Sequence, residues 1–99
     1  MNIAVNKIYS LRLNNGQEII GKITEINDGS YQLESPLAIM MGQEGIQLAP
    51  ALFTTDQNAN AILYSNAIAY VSESREDVID VYREATTGIK VPDKKIILG

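Results

Sequence analysis

The chain has no cysteine and no histidine. Their absence removes disulfides, zinc fingers, thiol nucleophiles and histidine general bases together. A cysteine-free chain fits a reducing compartment. No apolar run approaches the roughly 20 residues that span a bilayer as a helix. Met1 to Lys7 has no charged leader and no long apolar stretch. It therefore does not read as a signal peptide, and a cytoplasmic location is expected.

Cations are scarce in the middle of the chain. No Lys or Arg occurs from Ile23 to Ser74. The basic residues are Lys7, Arg12 and Lys22, then Arg75, Arg83, Lys90, Lys94 and Lys95, and the net charge is −4. Phosphate backbones are held mostly by Lys and Arg. A nucleic-acid site in the central stretch would have to work without them. Carboxylates occur, but none stands beside an apolar run or a partner that would shift its pKa. There is no phosphate-cradling glycine loop followed by Lys-Ser or Lys-Thr. Glu76, Asp80 and Glu84 read as the solvated face of a helix, too straight to converge on a metal. No enzyme activity, cofactor or metal site is expected.

What is present suits one small β domain, residues 1–99. The apolar fraction of 45% allows a single core. A domain this short has much surface per unit volume, so association would help bury apolar groups. Ile8 to Leu13 alternates, with Tyr9, Leu11 and Leu13 on one face, as a half-buried strand does. Asn15-Gly16 offers the positive-φ pair of a tight hairpin. A second strand, about Gln17 to Ile26, places Ile19, Gly21 and Ile23 on one face and Ile20, Lys22, Thr24 and Ile26 on the other. Gly21 would let a neighbour cross closely and the strand bend. Asn27-Asp28-Gly29 is a turn. Strand three, Tyr31 to about Met40, has Tyr31, Leu33, Leu37 and Ile39 in register, and Pro36 puts it at an edge or a bulge.

After a turn at Gly42 to Gly45, Ile46 to Phe53 reads as strand four, with Ile46, Leu48 and Leu52 on one face. Thr54 to Asn60 is loop-like and Ala61 to Leu63 a short extended piece. Tyr64-Ser65-Asn66 is a tight turn, and Ala67 to Ser72 is strand five. Ser74 with Asp77 predicts a reciprocal cap on a helix over Arg75 to Thr86, ended by Gly88. Its apolar stripe is Val78, Val81, Tyr82 and Ala85. The tail 89–99, with Ile96-Ile97-Leu98, either adds a strand to a neighbour's edge or is loose.

Residues 8–72 resemble the Sm-like (LSm) family. Gly16 and Gly21 fall at the Gly-x₄-Gly spacing of the first Sm motif, followed by Ile23, Ile26 and Asn27-Asp28. Tyr64-Ser65-Asn66-Ala67-Ile68 is similar to the second motif of the Hfq branch, matching at Tyr64, Ala67 and Ile68. The segment between the motifs is longer than in Hfq. Small acidic Sm-like proteins of tailed phages, particularly of marine cyanobacteria, look closer, with a longer fourth-strand region and a tyrosine-bearing C-terminal helix, here Tyr82. The resemblance implies a mainly β, five-stranded, bent antiparallel SH3-like barrel with a C-terminal helix. It also implies a homo-oligomeric ring of about five to seven subunits, joined by strand four of one subunit pairing with strand five of the next, since closure removes the free strand edges. A dimer with edges blunted by Pro36 and Pro50 is the alternative.

The resemblance further implies that two turns line a central pore and hold single-stranded RNA. By position the candidate RNA-binding residues are Asn27 and Asp28 with Tyr64, Ser65 and Asn66. The aromatic expected after strand two is Gly29 or Ser30 here, and the expected Lys and His are Ser65 and Asn66. Asn27 and Asn66 could hydrogen-bond a base edge, and Tyr31 or Tyr64 could stack one if outward-facing. Tyr31, at the head of an alternating strand, reads first as core, and Asn27 and Asp28 first as ordinary turn residues, while Tyr64 reads equally either way. Lys22, Lys90, Lys94 and Lys95 are either a basic rim or scattered surface charge. Two functions remain open: an Sm-like ring with weak or altered RNA binding, or a ring-shaped structural or protein-interaction module that binds none.

Overall fold

The computed structural model describes residues 2–56 and 59–87. Six strands form: β1 (Lys7–Leu13), β2 (Glu18–Asn27), β3 (Ser30–Gly42), β4 (Gly45–Pro50), β5 (Asn60–Tyr64) and β6 (Ile68–Glu73). A 3₁₀ turn, Ser65–Ala67, joins β5 to β6, and α1 (Glu76–Thr87) follows. The sheet is antiparallel in the order β4-β3-β2-β1-β6, with β5 also paired to β3. This is a mainly β, bent antiparallel sheet with a C-terminal helix, as the sequence predicts. It has six strands rather than five, because Ala61 to Leu63 belongs to a full strand laid against Ser30–Glu34. The tail 89–99 and the helix stop at Gly88 lie outside the described residues.

The β1–β2 turn is set by one residue. Gly16 has φ 90°, while Asn15 stays on the ordinary side. The Gly16 N–H donates to Leu13 C=O at 2.9 Å, and the Leu13 N–H to Gln17 C=O at 2.8 Å. That is a three-residue loop, Asn14-Asn15-Gly16, ending in a left-handed glycine, and the positive φ expected at both Asn15 and Gly16 occurs at Gly16 alone. Asn15 instead accepts the Gln17 N–H through Oδ1 at 2.9 Å.

The bend comes from β3. Ile20 pairs with Leu37 and Lys22 with Glu34, so Ser35 and Pro36 together oppose Gly21. This is a bulge. Ser35 is buried with φ 48°, and Pro36 occupies the place where the ladder is broken and no N–H is needed. A Cβ on Gly21 would lie 3.6 Å from Leu33, an ordinary contact. Close approach therefore does not require Gly21, and the predicted bend belongs to the residues opposite it. A second shift, between Ile23 and Glu25, adds curvature.

The extra residue reverses the side on which β3 faces. Tyr31 and Leu33 join Tyr9, Leu11, Ile19 and Ile23 in the core on the concave side. Beyond the bulge, Leu37 and Ile39 join Ile8, Ile20, Ile46 and Leu48 on the other side, under Val78 and Tyr82 of α1. The predicted common face of Tyr31, Leu33, Leu37 and Ile39 is thus divided between two cores. Strand β4 stops at Pro50, so Leu52 leaves the Ile46–Leu48 face and is exposed.

Helix α1 buries Val78 and Tyr82, half-buries Ile79 and Val81, and leaves Ala85 exposed. The predicted reciprocal cap is replaced by other bonds. Ser74 Oγ meets Ser10 Oγ at 2.7 Å, and the Ser74 N–H donates to Ile8 C=O at 3.4 Å. Asp77 pairs with Arg75 at 2.9 Å and accepts the Val78 N–H at 3.0 Å. The helix is latched by Tyr82. Its hydroxyl accepts the Lys22 N–H at 3.3 Å and donates to Glu34 C=O. It therefore bridges β2 and β3 at the last pair before the bulge.

Burial pushes the Tyr82 phenol from its ordinary value near 10 up to about 12, helped by the Glu34 charge and opposed by the Lys22 N–H bond. The folded state therefore binds the phenolic proton more tightly than the unfolded chain. Stability from this group is complete below pH 10 and is lost as pH rises from 10 to about 12. Tyr82→Phe should lower stability by about 1–3 kcal/mol, by leaving strand backbone groups without their bridge. It should also abolish that alkaline step, as read by urea unfolding across the pH range.

Candidate functional site

Two turns far apart in sequence meet at one corner. The β2–β3 turn is Asp28-Gly29, with Gly29 at φ 81°. Ser30, the first residue of β3, pairs with Tyr64, the last of β5. The 3₁₀ turn starts there, and the Ser65 N–H donates to Gly29 C=O at 2.9 Å. Tyr64, at the head of this turn, supplies no side-chain cap. The turn is therefore held by its neighbours.

On its other side the 3₁₀ turn meets the β1–β2 turn. Asn14 Nδ2 donates to Asn66 C=O at 2.6 Å, and the Asn14 N–H donates to Ala67 C=O at 2.8 Å. Short helical turns leave N–H groups unpaired at their start and C=O groups at their end. Here Gly29 serves the first and Asn14 the second. Sequence reasoning gave Asn14 no task beyond its own hairpin. The available signal was the Asn14-Asn15 pair, of which the hairpin uses only the Asn15 side chain.

The bonds at this corner are made by backbone groups and Asn14. They leave Asn27, Asp28, Ser65 and Asn66 exposed, with Tyr64 63% exposed. All five candidate residues lie on the two joined turns or at the strand ends, Asn27 and Tyr64, that lead into them. Tyr31 lies apart from them, half-buried against the concave core. The corner offers amides, a hydroxyl, a phenol and one carboxylate, and neither turn carries a cation. Such a surface can hydrogen-bond a base edge and stack a ring, but it has nothing to neutralise a phosphate. Lys22 is held by Glu34 at 3.8 Å on the helix side of the sheet. Lys90, Lys94 and Lys95 lie outside the described residues.

The corner also joins two open sheet edges. Strand β5 pairs only with β3 and β6 only with β1, so each has a free side among the described residues. Ile62 is 63% exposed on β5 and Tyr70 73% exposed on β6. A free edge carrying large apolar side chains is a template for another strand. The sequence reading has Ala61 to Leu63 as a short extended piece and not as an edge, since Ala61-Ile62-Leu63 is apolar throughout; in the structure Asn60–Tyr64 alternates between exposed and half-buried positions.

Among the described residues there is no group of three or more acidic side chains placed to hold a metal ion. None of the described helices is long and apolar enough to cross a membrane. The chain matches no protein-family model and no curated protein.

The exposure of Tyr64 separates its surface role from the core. Tyr64→Ala should change unfolding free energy by no more than about 0.5 kcal/mol when measured under conditions that keep the chain monomeric.

Proposed function

We propose that this chain is an Sm-like protein that assembles into a homo-oligomeric ring through its β5 and β6 edges. The observation that carries this reading is two unpaired sheet edges, with Ile62 exposed on β5 and Tyr70 on β6, joined by a three-residue turn. The two edges are different surfaces, so their pairing is heterologous and propagates until it closes. Each large apolar side chain covered in such a contact contributes about 1.5–3 kcal/mol. The strand that enters the contact is β5, the one leading into the 3₁₀ turn. The Ile46 to Pro50 strand extends β3 instead.

Repeated around a ring, the Asn27-Asp28 and Tyr64-Ser65-Asn66 corner forms a polar girdle. In this reading the girdle contacts single-stranded RNA through its bases, with Tyr64 as the stacking surface and Asn27 and Asn66 on base edges. With no cation in either turn, few counterions are released and the binding is weak. A second reading, a ring that binds protein and no RNA, is favoured by Asp28 at the corner and by the cation-free stretch from Ile23 to Ser74.

Solution mass and a salt titration separate these readings. The expected mass is that of a closed ring of about five to seven copies at micromolar concentration. A monomer would sink the ring. Oligo-U or oligo-A should bind at low salt with a shallow salt dependence, because the slope counts neutralised phosphates. No binding at low salt would discard the RNA reading and leave the protein-binding ring.

A further inference from the structure

Strand β4 is a third open edge. Among the described residues it pairs only with β3. One step beyond the Leu37–Pro50 pair, the Ala51 N–H donates to Pro36 C=O at 3.2 Å. Bonded and non-bonded pairs alternate along an antiparallel ladder. The N–H and C=O groups of Ile46 and Leu48, and the C=O of Pro50, therefore point away from β3. The side chains of Ile46 and Leu48, like those of Leu37 and Ile39, pack only partly buried against Val78 and Tyr82. The helix-covered core is thus open on its β4 side.

At the Pro50 end of β4 lies an apolar hollow of about 360 Å³, walled by Leu37, Leu48, Pro50 and Phe53 and by Ala85 and Thr86 from the end of α1. Phe53 is 86% exposed. The chain therefore leaves α1 beside this hollow. Residues 88–99, outside the described residues, follow from there. They carry Ile89, Val91 and Ile96-Ile97-Leu98, with Lys90, Lys94 and Lys95 against a single Asp93. The β3–β4 turn and the hollow supply Glu44 and Asp56, and no Lys or Arg occurs from Ile23 to Ser74. A basic, apolar segment thus begins next to an open apolar edge that has carboxylates and no cation.

We propose that residues 88–99 close the β4 edge of their own chain, with Ile89 and Val91 over the hollow and Ile96-Ile97-Leu98 added to β4 as an antiparallel strand. The direction follows from the exit point, since β4 runs toward the hollow and the segment runs away from it. Fully extended, these residues span roughly 40 Å, against about 20 Å for β4. Pro92 has no N–H to give a ladder, and it falls between the two docking parts. Attachment puts a chain's own segment at an effective concentration on the order of mM, ahead of a second copy's. Covering an edge is one way in which proteins prevent unwanted strand pairing. Closure of β4 leaves β5 and β6 as the edges open to another copy, and it does not depend on whether those two build a ring.

The test is amide hydrogen exchange in the full chain, as wild type and as the double variant Ile96→Asp with Leu98→Asp. The outward amides of Ile46 and Leu48 should exchange about tenfold or more faster in the variant, while Gln47 and Ala49, bonded to β3, keep their protection and report that the sheet is intact. In a second full-length variant, Gln47→Cys with Ile97→Cys, a short bis-thiol reagent should consume both thiols and leave a single-chain product on a denaturing gel. Free exchange of Ile46 and Leu48 in wild type would overturn the proposal, as would protection that survives the double variant. A cross-linked product of two or more chains would overturn it too, by making a second copy the occupant.

Discussion

The bulge at Ser35-Pro36 is the constraint on which the rest of the molecule depends. One extra residue in β3 opposite Gly21 bends the sheet and turns the strand over. The first half of β3 then belongs to the concave core and to β5, and the second half to the helix-covered core and to β4. The cost is a buried serine held at φ 48°. A left-handed non-glycine residue of this kind costs about 1–3 kcal/mol and persists only where its surroundings fix it. Those surroundings include Tyr82, whose hydroxyl bridges Lys22 and Glu34 beside the bulge. Helix α1 is thus tied to the point where the ladder breaks.

Much of the β architecture was legible in the sequence, because alternation and turn residues report directly on strands. Tyr9, Leu11, Ile19 and Ile23 do share the core that their spacing predicts. The misreadings have a common cause. A period-of-two pattern cannot register an inserted residue, so Leu37 and Ile39 were placed on the face of Tyr31 and Leu33. Pro36 signalled a bulge nearby, but not the reversal that follows it. Ser74 and Asp77 stand at capping-box spacing, yet tertiary partners on β1 and Arg75 take their bonds. Strand β5 was legible only as a short extended piece, Ala61 to Leu63, because its pairing is with β3, a partner about thirty residues earlier.

The candidate corner was legible as two separate turns and not as one surface. Asn27-Asp28-Gly29 and Ser65-Asn66 are ordinary turn sequences. Their joining depends on Ser65 reaching Gly29 and on Asn14 reaching Asn66, contacts between segments far apart in the chain. The same corner that gathers the polar side chains also ties β5 to β6. In the proposed ring, the candidate site therefore lies beside both contact edges.

The claim that most else rests on is that β5 of one copy meets β6 of the next. The chain contains no cysteine, so introduced thiols have no background. The direct measurement is mild oxidation, or a short bis-thiol reagent, applied to the double variant Ile62→Cys with Tyr70→Cys and to each single variant. A ring joined by unlike edges predicts a covalent ladder in the double variant that ends at one closed species, with no cross-linking in either single variant. A wild-type chain that stays monomeric, or a single variant that forms dimers through like edges, would contradict it.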